Sequence, residues 1–522
     1  MTRTRKAIVV GTGAGGLSAA AHLAKDGFEV VALEQGEHVG GFLAPFTADG
    51  YTFDPGVHYV GQARRGQLFD HVLGDLGIDV EKLFVEMDPD GFDAYRFPDF
   101  ELRMCRGRER YRDRLIERFP HERDGLHRLF DLIAHFGEAM HRWPLAGHRP
   151  QLSDLRGLRH LPSVLRWLRS TQADLLAHFV RDPAVRDVLA AANGDVGLPP
   201  SQLSAMVWLS LIDHYLDGAF FPRGGAGALR DALVDAAEKQ GARFRTGAEV
   251  SEILVRGSSV SGVQLADGER LDADVVVAAV DPTLTLGKLL AFRVPRRLAR
   301  KVQHTEPSLS AFTVFLGMKR DVRACGMGAF NVWDYPSWDI EAAYAPVLAG
   351  RIPERPALFL SSSTARDRSG ALAPPGCSTL QIVTFMPWQP FARWAASPPA
   401  ERGADYRRLR DEEAEKLLAE TERRWPGLVG DVAVKRVATP LSNHDYTRAV
   451  RGGIYGPAHT VRQIGPWRFG TRTPYQGLLL AGAGSFGCGV AACLMSGRVA
   501  ARAAAGRRPA ASAPPATERR AA

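Results

Sequence analysis

Residues 6–41 read KAIVVGTGAGGLSAAAHLAKDGFEVVALEQGEHVGG. Ala7 to Val10 is a β-branched apolar run, Leu17 to Lys25 an alanine-rich helical run, and Glu29 to Leu33 a second apolar run, so the stretch predicts a strand, helix and strand in succession. Gly11, Gly13 and Gly16 fall at GxGxxG spacing between the first strand and the helix. Gly11 permits a tight turn, Gly13 lets backbone approach a pyrophosphate, and Gly16 lets helix and strand pack closely. The phosphates then lie at the positive end of the helix dipole. Glu34 ends the second strand, where an acid accepts hydrogen bonds from ribose hydroxyls and disfavours a phosphorylated ribose. The unit therefore suits FAD or NAD better than NADP.

A second glycine pair, Gly40 and Gly41, follows Glu34 and Gln35 closely. Near the other end, Gly477 to Gly497 reads GLLLAGAGSFGCGVAACLMSG: an apolar strand, a glycine loop and a helix. A helix starting near Gly489 and Val490 would aim free N–H groups at the carbonyl edge of an isoalloxazine. Glycine loops at both ends of one chain argue for FAD.

Two segments imitate membrane signals. The basic start TRTRK before an apolar run has the outline of a signal peptide, but its glycines have nucleotide-binding spacing. Thr473 to Gly497 holds 25 uncharged residues, yet its glycine content reads as a buried cofactor segment rather than an integral span.

The remaining composition bounds the partners. The net charge of +8 is concentrated in Arg3, Arg5 and Lys6 and in Arg507, Arg508, Arg519 and Arg520. A third basic concentration, residues 142–169, interleaves Arg142, Arg149, Arg156, Arg159, Arg166 and Arg169 with Trp143, Leu155, Leu158, Leu161, Leu165, Trp167 and Leu168. It reads either as a solvated face over an amphipathic helix or as a peripheral membrane contact. No nucleic-acid motif is present. Five scattered cysteines give neither a disulfide framework nor metal-ligand spacing, and a cytoplasmic setting is expected, peripheral on the inner face of a membrane if the basic stretch docks there.

Taken together, the opening unit, the segment FDPGVHYVG (residues 53–61), PRGGAGAL (222–229), the pair AEV and DADVVVAAVDP, GGIYGP (452–457) and AGAGSFGCGV resemble the FAD-dependent family of phytoene desaturases, carotenoid isomerases and retinol saturases. The likeness runs from Ala7 to about Ala504. It implies an α/β fold: a Rossmann-type FAD-binding domain of the glutathione-reductase and amine-oxidase kind, assembled from discontinuous segments, with an inserted α+β substrate domain. Residues 1–107, 220–290 and 441–505 are assigned to the first, 108–219 and 291–440 to the second, and 506–522 to a disordered tail.

The resemblance also implies the site. Cofactor contacts are expected from Gly11, Gly13, Ala14, Gly15, Gly16, Glu34, Gln35, Gly40, Gly41, Phe42, His58, Tyr59, Val250, Gly482, Ala483, Gly484, Gly489 and Val490, with no metal. Phe42 stands where related flavoproteins often carry arginine, and Gly484 where saturases tend to carry an acid and desaturases glycine. His58, Tyr59 and Tyr455 are the candidate acid–base groups, each with cavity lining as its plain alternative; His459, His444 and Asp445 are weaker. Asp54 and Gly56 read as backbone-shaping residues and Cys488 as a packed small residue. The implied activity is hydride exchange between FAD and double bonds of a lipophilic polyene, in saturation, desaturation or isomerisation. Reductive cyclisation of a polyene and a non-catalytic prenyl-lipid escort are the alternatives. Transient NAD(P)H or a quinone is the electron partner considered.

Overall fold

A computed structural model of the protein describes residues 4–141, 160–290 and 294–506. The opening stretch forms β1 (Lys6–Val10), α1 (Ala14–Lys25) and β2 (Glu29–Leu33). β1 is the centre of a five-stranded parallel sheet whose order is Arg243–Arg245, β2, β1, Val275–Ala278 and Leu478–Leu480. Every strand but the Arg243–Arg245 edge is a near-continuous apolar run, as a parallel sheet covered on both faces requires.

One cover is α1, and the closing helix Val490–Ala504 crosses it at close range. A Cβ on Gly497 would lie 2.3 Å from the Gly15 carbonyl oxygen, and Ser18 Oγ donates to the Leu494 carbonyl at 2.7 Å. Small residues let the two backbones meet, which joins the first and last segments of the chain. The 25-residue uncharged stretch is thus strand, loop and helix, and no helix among the described residues is long and apolar enough to cross a membrane.

A seven-stranded sheet forms the second body, in the order Val432–Ala438, Ser310–Met318, Ser378–Met386, Leu358–Ser361, Asn331–Asp334, Asp93–Phe97 and Phe100–Met104. Ser310–Met318 and Ser378–Met386 pair antiparallel over their whole length, Ser310 opposite Met386 and Met318 opposite Ser378. The hairpin Asp93–Met104, which the sequence grouped with the first nucleotide segment, joins this sheet instead through parallel pairing of Asp93–Arg96 with Asn331–Asp334. That pairing spans more than two hundred residues, so no local pattern announces it.

Residues 108–219 are helical where described, with Arg123–His141, Gln172–Phe179, Pro183–Ala190 and Ala205–Tyr215 among the elements. Of the basic stretch, residues 142–159 lie outside the described residues, as does the tail from residue 507. Trp167 is buried against His178 and Phe179, so it is a core residue rather than a surface anchor. A short sheet of Val60–Gly61, Ala219–Pro222 and Phe84–Glu86 clamps the FDPGVHYVG segment between the two bodies.

Candidate active site

The β1–α1 turn is built by backbone contact. Gly11 N–H donates to the Leu33 carbonyl at 2.8 Å, and its φ of +87° makes the turn possible. A Cβ on Gly16 would lie 1.9 Å from the Gly11 carbonyl oxygen, and one on Gly15 2.7 Å from Gly482 Cα. Glu34 is buried at the end of β2, where Oε2 accepts from Thr12 N–H (3.1 Å) and Oγ1 (2.6 Å) and Oε1 from Gly36 N–H (3.0 Å). Thr12 Oγ1 in turn accepts from Gly40 N–H at 3.1 Å, drawing the second glycine loop against the first. A Cβ on Gly41 would stand 3.2 Å from Gly13 Cα.

The third element closes over these two. Gly482 N–H donates to Ser496 Oγ at 2.7 Å, Ala483 accepts from the buried Arg468 guanidinium at 2.6 Å, and Gly489 precedes the half-buried first turn of Val490–Ala504. At Gly484 a Cβ would meet Pro282 Cδ at 2.2 Å, so the acid that saturases tend to place here does not fit. Val250 begins a strand beside Ala248, whose N–H donates to the Glu34 carbonyl at 2.8 Å. Gln35 turns outward, donating to the Tyr446 carbonyl and accepting from Arg448.

Beyond the glycine loops a cavity opens toward the seven-stranded sheet. Phe42, Gly56 and His58 form one end, and Trp333, Phe359, Phe385, Tyr344, Val347 and Leu358 are in its wall. Gly56 makes room for Phe42, whose Cβ lies 2.8 Å from where a Gly56 Cβ would be. His58 Nδ1 is buried and accepts or donates no hydrogen bond within the protein. Burial and the nearby Arg366 guanidinium push the imidazole down to about 3, so it is neutral across the physiological range and holds no imidazolium proton to give. Tyr455 is also in the wall, but its hydroxyl donates to the Gly194 carbonyl at 2.8 Å.

Tyr59 sits one layer behind. Its ring stacks on Tyr215 with centroids 4.5 Å apart, and its hydroxyl lies 2.9 Å from Asp93 Oδ2 and 2.6 Å from Asp195 Oδ2. Asp195 itself lines the cavity. Arg366, buried and stacked on Phe221, braces this corner by donating to the His58 carbonyl, to Asn331 Oδ1 and to Ser361 Oγ. The weaker candidates are tied elsewhere: Asp445 pairs with Arg402 at 2.7 Å, His444 Nδ1 bonds the Ala449 carbonyl, and His459 Nε2 accepts from Cys488 N–H. Burial pushes the Cys488 thiol up to about 12, which keeps it uncharged and unreactive.

The profile described as flavin containing amine oxidoreductase matches residues 14–505. The chain belongs to that family. All-trans-retinol 13,14-reductase of Danio rerio is 27% identical over 515 residues, covering 94% of this chain and 84% of that protein. The zeta-carotene-forming phytoene desaturase of Myxococcus xanthus is 29% identical over 486 residues, covering 90% and 87%. A solved oxidoreductase structure from Methanosarcina mazei, 17% identical, superposes with a TM-score of 0.62 over 95% of this chain and 99% of its own. It shares the fold.

The family's cofactor is a flavin, and the residues present fit FAD. The glycine loops form a cradle that side chains would fill, Glu34 offers a carboxylate at the end of β2, and the closing helix starts after Gly489 with no side-chain cap on its first N–H groups. Arg230 adds a group the sequence did not reveal: its Cδ lies 2.9 Å from the Cβ position of Gly40. It brings a cation to the second glycine loop, where Phe42 supplies none. Bound FAD supplies two-electron chemistry by taking up or giving a hydride.

Proposed function

We propose that this flavoenzyme exchanges a hydride with a carbon–carbon double bond of a lipophilic conjugated polyene, a carotenoid, retinoid or polyketide. The observation that carries the reading is the cavity, whose aromatic and aliphatic wall runs from the Phe42, Gly56 and His58 end to the seven-stranded sheet. A long apolar chain is held there by burial alone, with water excluded. The named activities of the retinol reductase and phytoene desaturase relatives are of this class. On the same reading, segments 1–107, 220–290 and 441–505 hold FAD, 108–219 and 291–440 shape the polyene cavity, and the hairpin Asp93–Met104 works with the latter.

The test is anaerobic. Photoreduced enzyme mixed with all-trans-retinol, phytoene and lycopene in turn is expected to regain oxidised-flavin absorbance with at least one of them, and the oxidised enzyme to bleach with the corresponding saturated partner if it desaturates. A flavin that answers to no polyene in either direction would refute the assignment.

A water-insoluble substrate is best drawn from a bilayer, and a peripheral contact is part of the proposal. Leu165 (48% exposed) and Trp467 (38%) are exposed apolar groups, with Arg169 lying over the Trp467 ring at 5.7 Å and Arg166 next to Leu165 in sequence. Flotation with phosphatidylserine vesicles is expected to carry the protein upward at low salt, and Arg166→Glu with Arg169→Glu to weaken that binding roughly thirtyfold or more, since each basic residue near an anionic surface contributes about 1 kcal/mol. Binding indifferent to both salt and charge reversal would remove this patch from the account.

A further inference from the structure

Asp93, Asp195 and Tyr59 come from three elements: the start of the strand Asp93–Phe97, the end of the short helix Ala191–Asp195, and the residue before the strand Val60–Gly61. Tyr59 carries one hydroxyl proton and stands between two carboxylates at 2.9 Å and 2.6 Å. It donates to one of them. The contact to the other is a hydrogen bond only if that carboxyl carries a proton and donates to the phenol oxygen. Two ionised carboxylates sharing one buried hydroxyl would repel, and neither has an ion-pair partner among the described residues, the buried Arg366 facing Asp93 without pairing with it. The geometry therefore stores one proton more than the side chains would hold in water.

The surroundings support that count. The groups facing the pair are phenols and a thiol: Tyr95 and Tyr215 beside Asp93, Tyr335, Tyr344 and Tyr455 around Asp195, and Cys488, whose Sγ lies 3.9 Å from the Asp195 carbonyl. All are pushed up by burial and remain uncharged. Arg366 is the one cation facing the pair among the described residues: it acts on Asp93 and Tyr59 through space and on Asp93 through Asn331, which donates to Asp93 Oδ1 at 3.1 Å, while neutral His58 adds no charge. Burial raises both carboxyls, Asp195 to about 7 and Asp93 well above the usual carboxylate range. They titrate as a unit.

The short helix also aims the store. Tyr335 Oη donates to the Ala191 carbonyl at 2.7 Å, Tyr455 Oη to the Gly194 carbonyl at 2.8 Å, and Asn193 Nδ2 to Gln172 Oε1 at 2.6 Å. Gly194 has no space for a side chain, since its Cβ would lie 2.0 Å from the Trp333 ring. Asp195 is thereby fixed at the cavity wall, with Asp93 and Tyr59 behind it as positioning residues.

We infer that the Asp195–Tyr59–Asp93 network is a proton store for the cavity and that Asp195 is the residue that hands the proton to the substrate. The inference rests on the proposed polyene reaction run in the reducing direction. A hydride from the reduced flavin brings two electrons and forms a C–H bond at one carbon. The Asp195 O–H bond breaks, its proton forms the second C–H bond, the double bond is reduced, the flavin is oxidised, and the carboxylate takes a proton back from water. Tyr59 and Asp93 hold the charge left behind.

Two arms test it on the full holoenzyme. Infrared spectra across pH 5 to 9 are expected to show a protonated-carboxyl C=O band that is lost with a midpoint near 7 in the wild type and whose loss near 7 is absent in Asp195→Asn. Asp93→Asn removes the neighbouring carboxyl and Tyr59→Phe the hydroxyl between the two, so each should keep the Asp195 band and move its midpoint. Flavin absorbance confirms that each variant is loaded. In the second arm, Asp195→Asn should slow polyene reoxidation of photoreduced enzyme roughly 100-fold and abolish its fall above pH 7. A band unchanged in all three variants overturns the store, and reoxidation at the wild-type rate in Asp195→Asn overturns its role as donor. If no polyene reoxidises even the wild type, the substrate reading and the donor step fail with it, while the infrared arm still decides the store.

Discussion

Gly16→Val is expected to give a chain that purifies without flavin. The Cβ it introduces would stand 1.9 Å from the Gly11 carbonyl oxygen and 3.2 Å from Ala279 Cβ. The first contact is backbone, not the movable end of a side chain, so relief requires opening the β1–α1 turn itself. That turn places Gly13 against Gly41 and Thr12 against Glu34, and all of these move if it opens. Overpacking of this kind costs about 2 kcal/mol or more, roughly a thirtyfold loss of affinity for FAD even where the fold survives. Gly13→Ala is the control: its Cβ meets no atom within 4 Å, so the apoprotein should melt as the wild type does and any loss of flavin reports on the cofactor alone. Flavin absorbance per chain, with melting curves before and after added FAD, distinguishes the two. Normal flavin content in Gly16→Val would mean that this turn does not hold the cofactor.

The same contacts show what one chain of letters can reveal. β1, α1, β2 and Glu34 were legible because their logic is local: glycines at fixed offsets, an apolar run on either side and an acid at the end of the second strand. Asp195 was not. Its partner Tyr59 is 136 positions away, and in sequence NGDVG reads as an ordinary turn. Gly484 resembled the desaturase pattern, but its reason, the proline ring of Pro282, is two hundred residues distant. His58 and Tyr59 were singled out as a pair, yet in the irregular turn before Val60–Gly61 the two side chains part, so one lines the cavity and the other faces the buried carboxylates. Long-range pairing thus wrote the acid–base part of the site, while the cofactor part came from spacing.

Asp54, in the same nine-residue stretch, provides the second large effect, on stability. Its Oδ1 accepts from Ala226 N–H at 2.8 Å, at the first turn of the helix Ala226–Glu238, and Oδ2 accepts from Ser363 Oγ at 2.9 Å. Its backbone carbonyl takes Gln381 Nε2 at 3.1 Å. One buried side chain therefore ties the start of the chain to a helix and to the seven-stranded sheet's flank. Burial raises its carboxyl from 3.8 to about 6, against the opposing pull of those hydrogen bonds and of Arg366. The folded chain thus holds a proton between pH 4 and 6 that the unfolded chain has already released. Stability is greatest below the unfolded value and falls as pH rises through the folded one, by about 3 kcal/mol in all. Asp54→Asn keeps the acceptor for Ala226 and offers an N–H to Ser363 Oγ without the charge. Its melting temperature should track the wild type at pH 4 and exceed it progressively toward pH 7. Asp54→Ala strands the Ala226 N–H and should melt below Asp54→Asn at both pH values, by about 1 to 3 kcal/mol of lost satisfaction. A wild-type and Asp54→Asn difference that does not grow between pH 4 and 7 would show that the carboxyl is not the buried, proton-holding strut that the contacts make it.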